Sequence, residues 1–150
     1  MKSLEFLRAN GIEFKEIHLK EAPKTAHDVE RLHGTPLHQI LKSLLFIGDK
    51  EPVLAVVPGD KKVNINKLKN ASEQNNLRMA KPNEVENVTG YQIGGVCPFA
   101  VKDDVLKVID KAVFNIENIS IGSGKAEIGI ELSSKDLRVI WDGLIGDISE

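Results

Sequence analysis

The stretch SLLFIGDKEPVLAVVPGD, residues 43–60, constrains the fold more than any other part of the chain. Two apolar runs, residues 43–48 and 52–59, flank a polar turn around Asp49 and Lys50, which is the pattern of a β-hairpin. A second hairpin is written into NISIGSGKAEIGIEL, residues 118–132, with its turn at Gly122, Ser123, Gly124 and Lys125. Residues 12–19, IEFKEIHL, alternate apolar and polar side chains and read as a further strand.

Helical segments fall between these strands. Residues 3–9 carry Leu4, Phe6 and Leu7 and stop at Asn10-Gly11. Thr25 is an N-cap for AHDVERLH, which has an acidic first turn and closes on Gly34. Residues 35–41 form a short helical turn, VNINKLKNASEQNNLRMA one helix or two, and Pro82 starts another short helix. GGVCPFAV reads as a loop running into a strand, and SSKDLRVI as a capped terminal helical turn. The spacing of parallel βαβ units is not apparent, so the expected fold class is α+β with a mostly antiparallel sheet.

At 150 residues the chain fits a single domain, residues 1–150, with one real core. One cysteine cannot form an internal disulfide, and the amphipathic start is not a signal peptide, so the expected location is cytoplasmic. No apolar run approaches the roughly 18 residues that span a bilayer. Net charge is −2, which demands no polyanionic partner, yet 16 of the 20 basic residues are lysine and charge can be local. Neither GxGxxG nor GxxxxGK[ST] is present, which disfavours dinucleotide and nucleoside-triphosphate sites.

Five places could carry chemistry. The histidines, His18, His27, His33 and His38, have no metal-ligand spacing, so no metal or cofactor is expected. Cys97 has no histidine within 50 residues to serve as a base and reads as a small buried hydrophobe. In GYQIGGVCPFAV, residues 90–101, Gly90, Gly94 and Gly95 permit positive φ and close backbone approach, and Pro98 fixes the exit direction. Such a loop either turns backbone N–H groups toward an anion or carbonyl oxygen, or is a simple bulge into a strand. Lys42 is a lone charge in ILKSLLF, either snorkelling to a rim or held in a pocket for an anion. Lys61, Lys62, Lys67 and Lys69 make a local basic patch, a solvated face or a phosphate contact.

Five segments in register resemble the YbaK/prolyl-tRNA synthetase-associated editing domains, over residues 25–137. They are the N-terminal helix and strand, TAHDVERLHGTPLHQILKSLLF with its Lys-Ser-Leu, LAVVPGDKKVNINKLKN with its Gly-Asp turn, GYQIGGVCPFAV and GSGKAEIGIELSSKDL. The resemblance implies an α+β fold with a mostly antiparallel, barrel-like mixed sheet flanked by helices. It implies hydrolysis of the ester joining a wrong amino acid to the 3′ end of tRNA, here by a free-standing trans-editing deacylase acting on Cys- or Ala-tRNA(Pro). The implied partners are the aminoacyl-tRNA acceptor end and a prolyl-tRNA synthetase.

Carried over by residue, Lys42 would contact the terminal nucleotide. Gly94, Gly95 and Pro98 would form the loop holding the aminoacyl group, and Gly124 and Lys125 would border the pocket. Thr25, Asp60 and Lys67 match recurrent positions with substrate-binding roles. The terminal hairpin lacks the histidine of some alanine-specific relatives, which places it nearer the branch associated with cysteine removal. Two other readings stay open: a non-catalytic module binding an aminoacyl or nucleotide-like ligand or a protein, and a hydrolase using Cys97.

Overall fold

The computed structural model describes residues 1–101 and 104–150. Among the described residues the chain forms five α-helices and eight strands in two sheets. The elements are α1 (Lys2–Ala9), β1 (Lys15–His18), α2 (Ala26–His33), β2 (Leu41–Gly48), β3 (Val53–Pro58), α3 (Ile65–Ser72) and β4 (Leu77–Met79). They continue with α4 (Pro82–Thr89), β5 (Leu106–Asp110), β6 (Asn118–Gly122), β7 (Ile128–Ser133), α5 (Ser134–Ile140) and β8 (Leu144–Gly146).

The larger sheet runs β4-β2-β3-β5-β8. Its centre is the expected hairpin, with Leu41 opposite Pro58 and Phe46 opposite Val53. Strand β3 is buried along its whole length, and its alternation feeds two cores. Val53, Ala55 and Val57 pack with Phe46, Val108 and Leu68 of α3, whereas Val56 joins Leu41, Ile109, Ile119 and Ile130 on the opposite side. A continuous apolar run suits a strand covered on both faces. Strands β5 and β8 add to this sheet in parallel, β5 after a long crossover containing α3 and α4. The β3–β5 pair was not apparent in the sequence because that crossover also contains β4, which hides the βαβ spacing, and the β5–β8 pair because β8 was not read as a strand.

The smaller sheet, β1-β7-β6, is antiparallel throughout. The two sheets meet at a single parallel bridge between Ile40 and Ser120, so the sheet system stays open instead of closing into a barrel. The α+β, mostly antiparallel expectation holds. Helices α1 and α5 cover the core between the sheets through Leu4, Leu7 and Leu137.

Local signals explain most boundaries. Thr25 Oγ1 accepts from Asp28 N at 3.3 Å, Asn64 Oδ1 from Lys67 N at 3.1 Å and Ser133 Oγ from Asp136 N at 3.1 Å, capping α2, α3 and α5. Three details differ from the sequence reading. The segment read as helical up to Ala80 ends at Ser72 and finishes as the short edge strand β4, paired with Phe46 to Gly48. Residues 96–101 form no strand, because Pro98 offers no N–H and the Gly95 carbonyl is taken by Gly124 N. The chain also adds β8 beyond the last predicted helix.

Candidate functional site

Where β2 leaves the bridge to the smaller sheet, the two sheets diverge and leave a cavity of about 220 Å³. Its wall is mainly apolar, with Ile17, Leu19, Val29, Leu44, Val96 and Ile128 among the lining residues. Polar groups enter from Thr25, Lys42, Ser43 and Ser120.

Lys42 follows the first residue of β2 and is half-buried. Its ammonium donates a hydrogen bond to the Lys61 carbonyl. That carbonyl is presented by the Pro58-Gly59-Asp60-Lys61 turn, in which Lys61 N donates to Pro58 O at 3.0 Å. Burial pulls the Lys42 pKa below that of an ordinary lysine, Asp60 opposes the shift and Lys62 adds to it. The Gly-Asp turn therefore supplies both an anchor and a counter-charge for Lys42.

The glycine-rich loop is held by backbone contacts. Gly95 N donates to Gln92 O at 3.1 Å, closing a turn with Gly94 at φ +85°, a conformation that favours glycine. A Cβ on Gly94 would sit 2.2 Å from the Pro23 carbonyl oxygen. One on Gly95 would sit 2.6 Å from the Lys125 carbonyl oxygen. Three hydrogen bonds lace this loop to the β6–β7 turn: Gln92 N to Gly124 O at 3.2 Å, Gly124 N to Gly95 O at 2.6 Å and Ala126 N to Gln92 Oε1 at 3.2 Å. Gly94 and Val96 line the cavity, and among the described residues their backbone N–H groups have no hydrogen-bond partner.

Of the residues picked from sequence, Lys42, Gly94 and Thr25 converge on this cavity. Asp60 acts on Lys42 from outside it. Gly95, Gly124 and Lys125 stand one layer back, in the packing between the loop and the turn. Pro98 is buried and turns its carbonyl to Lys107 Nζ at 3.0 Å. Lys67 lies elsewhere, bonded to Asp147 Oδ1 and to the Ser149 carbonyl, each at 3.0 Å.

Sequence reasoning missed Ser43, Ser120 and Val96 as lining residues. Ser43 was signalled only by its place after Lys42, and Ser120 depends on the bridge between sheets, which no local pattern announces.

Cys97 is fully buried and lies outside the lining. Its sulfur accepts from Phe99 N at 3.5 Å, and burial pushes its thiol up to about 12. Such a thiol is a core group and no nucleophile at neutral pH. All four histidines are exposed. Among the described residues no group of three or more His, Cys, Asp or Glu is arranged to hold a metal ion. Among the same residues no helix is long and apolar enough to cross a membrane.

Comparison with known proteins agrees with this geometry. The profile of the aminoacyl-tRNA editing domain matches residues 20–140. The chain is 34% identical over 137 residues to a proline–tRNA ligase of Latilactobacillus sakei, covering 83% of this chain and 24% of that one. It is 41% identical over 87 residues to the Lactiplantibacillus plantarum ligase, covering 58% of this chain and 15% of the ligase. The chain thus spans less than a quarter of these ligases. YwhH of Bacillus subtilis is 36% identical over 105 residues, covering 69% of this chain and 66% of YwhH. Among solved structures, the hypothetical protein APE2540 superposes with a TM-score of 0.91 over the whole of both chains, at 28% identity. A candidate trans-editing enzyme for prolyl tRNA synthetase superposes at 0.85, with 25% identity over 99% of this chain and 96% of that one. The chain belongs to the aminoacyl-tRNA editing domain family and is related to the domains carried within proline–tRNA ligases.

Proposed function

We propose that the chain is an aminoacyl-tRNA deacylase that hydrolyses the ester of mischarged tRNA(Pro), with a cysteinyl or alanyl group seated in the cavity between the sheets. The observation that carries this reading is the convergence of Lys42 and Gly94, far apart in sequence, on one cavity. At about 220 Å³ it falls below the roughly 300–1,000 Å³ of pockets for drug-sized ligands, which suits a small acyl group rather than a nucleotide. The terminal nucleotide would then lie at the rim, where Lys42 meets its phosphate or ribose and exposed Lys24 and Lys62 add salt-dependent attraction.

The chemistry needs no side-chain nucleophile. Water adds to the ester carbonyl carbon, the bond from that carbon to the 3′-terminal ribose oxygen breaks, and free amino acid and tRNA leave. Negative charge builds on the carbonyl oxygen during the addition. On this reading the N–H groups of Gly94 and Val96, both lining residues without an internal acceptor, oppose it, and one such donor is typically worth about 3 kcal/mol of barrier. The loop and turn are laced together before substrate arrives, so the donors need no reorganisation. Lys42, fixed by the Lys61 carbonyl, orients the 3′ end against them.

The test is release of amino acid from Cys-, Ala- and Pro-tRNA(Pro). Selective release of the cysteinyl or alanyl group supports the proposal. Tight binding of charged tRNA without release from any of the three would replace it with a binding module.

A further inference from the structure

Lys107 is 8% exposed, in a strand whose next two residues, Val108 and Ile109, are fully buried. Its ammonium has three partners. It donates to the Pro98 carbonyl at 3.0 Å, pairs with the Asp142 carboxylate and lies 4.8 Å from the centre of the Trp141 ring. Burying an ammonium costs several kcal/mol, and an apolar residue of similar length would fill the same space without that penalty. A charge kept here is therefore unexplained by packing alone.

What Lys107 adds is direction. Proline contributes only a carbonyl to hydrogen bonding, so the end of the glycine-rich loop can be gripped there only by a donor. Lys107 grips Pro98, and the Tyr91 hydroxyl grips the next carbonyl, Phe99. The opposite end of the loop rests on Pro23 and on the β6–β7 turn. Val96, with its cavity-facing position, is suspended between these two supports.

We propose that Lys107 is a positioning residue that fixes the 94–98 loop from behind the cavity, acting on the reaction through Pro98 without touching substrate. The role in catalysis rests on the deacylase reading, whereas the grip on the loop does not.

The test compares Lys107→Met, Lys107→Arg and Asp142→Asn with wild type. Two readouts are taken: amide hydrogen exchange of Gly95 and Phe99, the loop amides that donate hydrogen bonds, against β3, and kcat and KM on mischarged tRNA. Lys107→Met is expected to raise loop exchange and to lower kcat, each by about 10-fold, with KM held within about 2-fold and β3 unchanged. Lys107→Arg is expected to recover most of both losses. Asp142 is 71% exposed, so Asp142→Asn folds even if Lys107→Met does not, and it should show the same loop-confined change at about 3-fold.

Unchanged loop exchange in whichever of Lys107→Met and Asp142→Asn folds would overturn the proposal. So would exchange rising equally in β3, which would make Lys107 a general stabiliser. If wild type hydrolyses no mischarged tRNA, the deacylase reading fails by itself and loop exchange alone decides the grip.

Discussion

Gly94→Ala probes the loop most sharply. The glycine sits at φ +85°, and an added Cβ would lie 2.2 Å from the Pro23 carbonyl oxygen, closer than real Cβ atoms approach backbone. The left-handed backbone conformation costs a non-glycine residue about 1 kcal/mol. Relieving the overlap requires backbone on one side to move, adding about 1–3 kcal/mol by analogy with overpacked cores. Gly34, at φ +86° with nothing within 4 Å of an added Cβ, bears the first cost without the second. The difference between Gly94→Ala and Gly34→Ala in denaturant unfolding should therefore be about 1–3 kcal/mol. Gly94→Ala should also slow deacylation at least about 10-fold, because shifting the loop displaces the Gly94 and Val96 donors. Gly34→Ala should leave the rate near wild type. Equal destabilisation by the two substitutions, with full activity in both, would refute the claim that this close approach sets the site's geometry.

Other expectations follow from the charges and from the thiol. Burial pulls Lys42 below the ordinary lysine value of about 10.4, so activity should fall as pH rises through that lowered value. In the window between the folded and unfolded values the unfolded chain binds more protons at Lys42, so Lys42 itself makes stability rise with pH and does not drive unfolding there. A rate profile flat to pH 11, with melting followed alongside, would contradict this. Cys97→Ala should cost about 1 kcal/mol of stability in urea unfolding and leave deacylation intact, since the thiol is buried away from the cavity. Loss of the reaction with the fold preserved would restore a nucleophilic role. Lys67→Met breaks a half-exposed pair with Asp147 and a bond to Ser149, so it should cost at most about 1 kcal/mol and leave KM within about 2-fold. A several-fold rise in KM at unchanged stability would instead make Lys67 a tRNA contact.

Much of this organisation was legible because the signals are local. The β2–β3 hairpin follows from two apolar runs and a polar turn, and α2 from Thr25 and Gly34. The candidate site was signalled by two unusual elements, a lysine in an apolar strand and a glycine-rich loop, and the fold brings Lys42 and Gly94 to one cavity. What stayed hidden depends on pairings distant in sequence. Ser120 enters the cavity only because of its bridge to Ile40. Lys67 looked like part of a basic patch, but its partners lie some eighty residues downstream. Lys107 carried no local signal, and only its burial and its contacts with Pro98, Asp142 and Trp141 distinguish it. The parallel pairing of β3 with β5 was hidden for the same reason, since nothing within either strand records it.

The most direct test of the central claim is single-turnover hydrolysis of Cys-tRNA(Pro) and Ala-tRNA(Pro) by wild type and Lys42→Ala, with Pro-tRNA(Pro) as the reference. The account predicts that wild type releases cysteine or alanine and spares proline. It also predicts that Lys42→Ala, folded by circular dichroism, loses at least about 100-fold of that rate. Equal rates for wild type and Lys42→Ala, or no preference for a mischarged substrate, would contradict it.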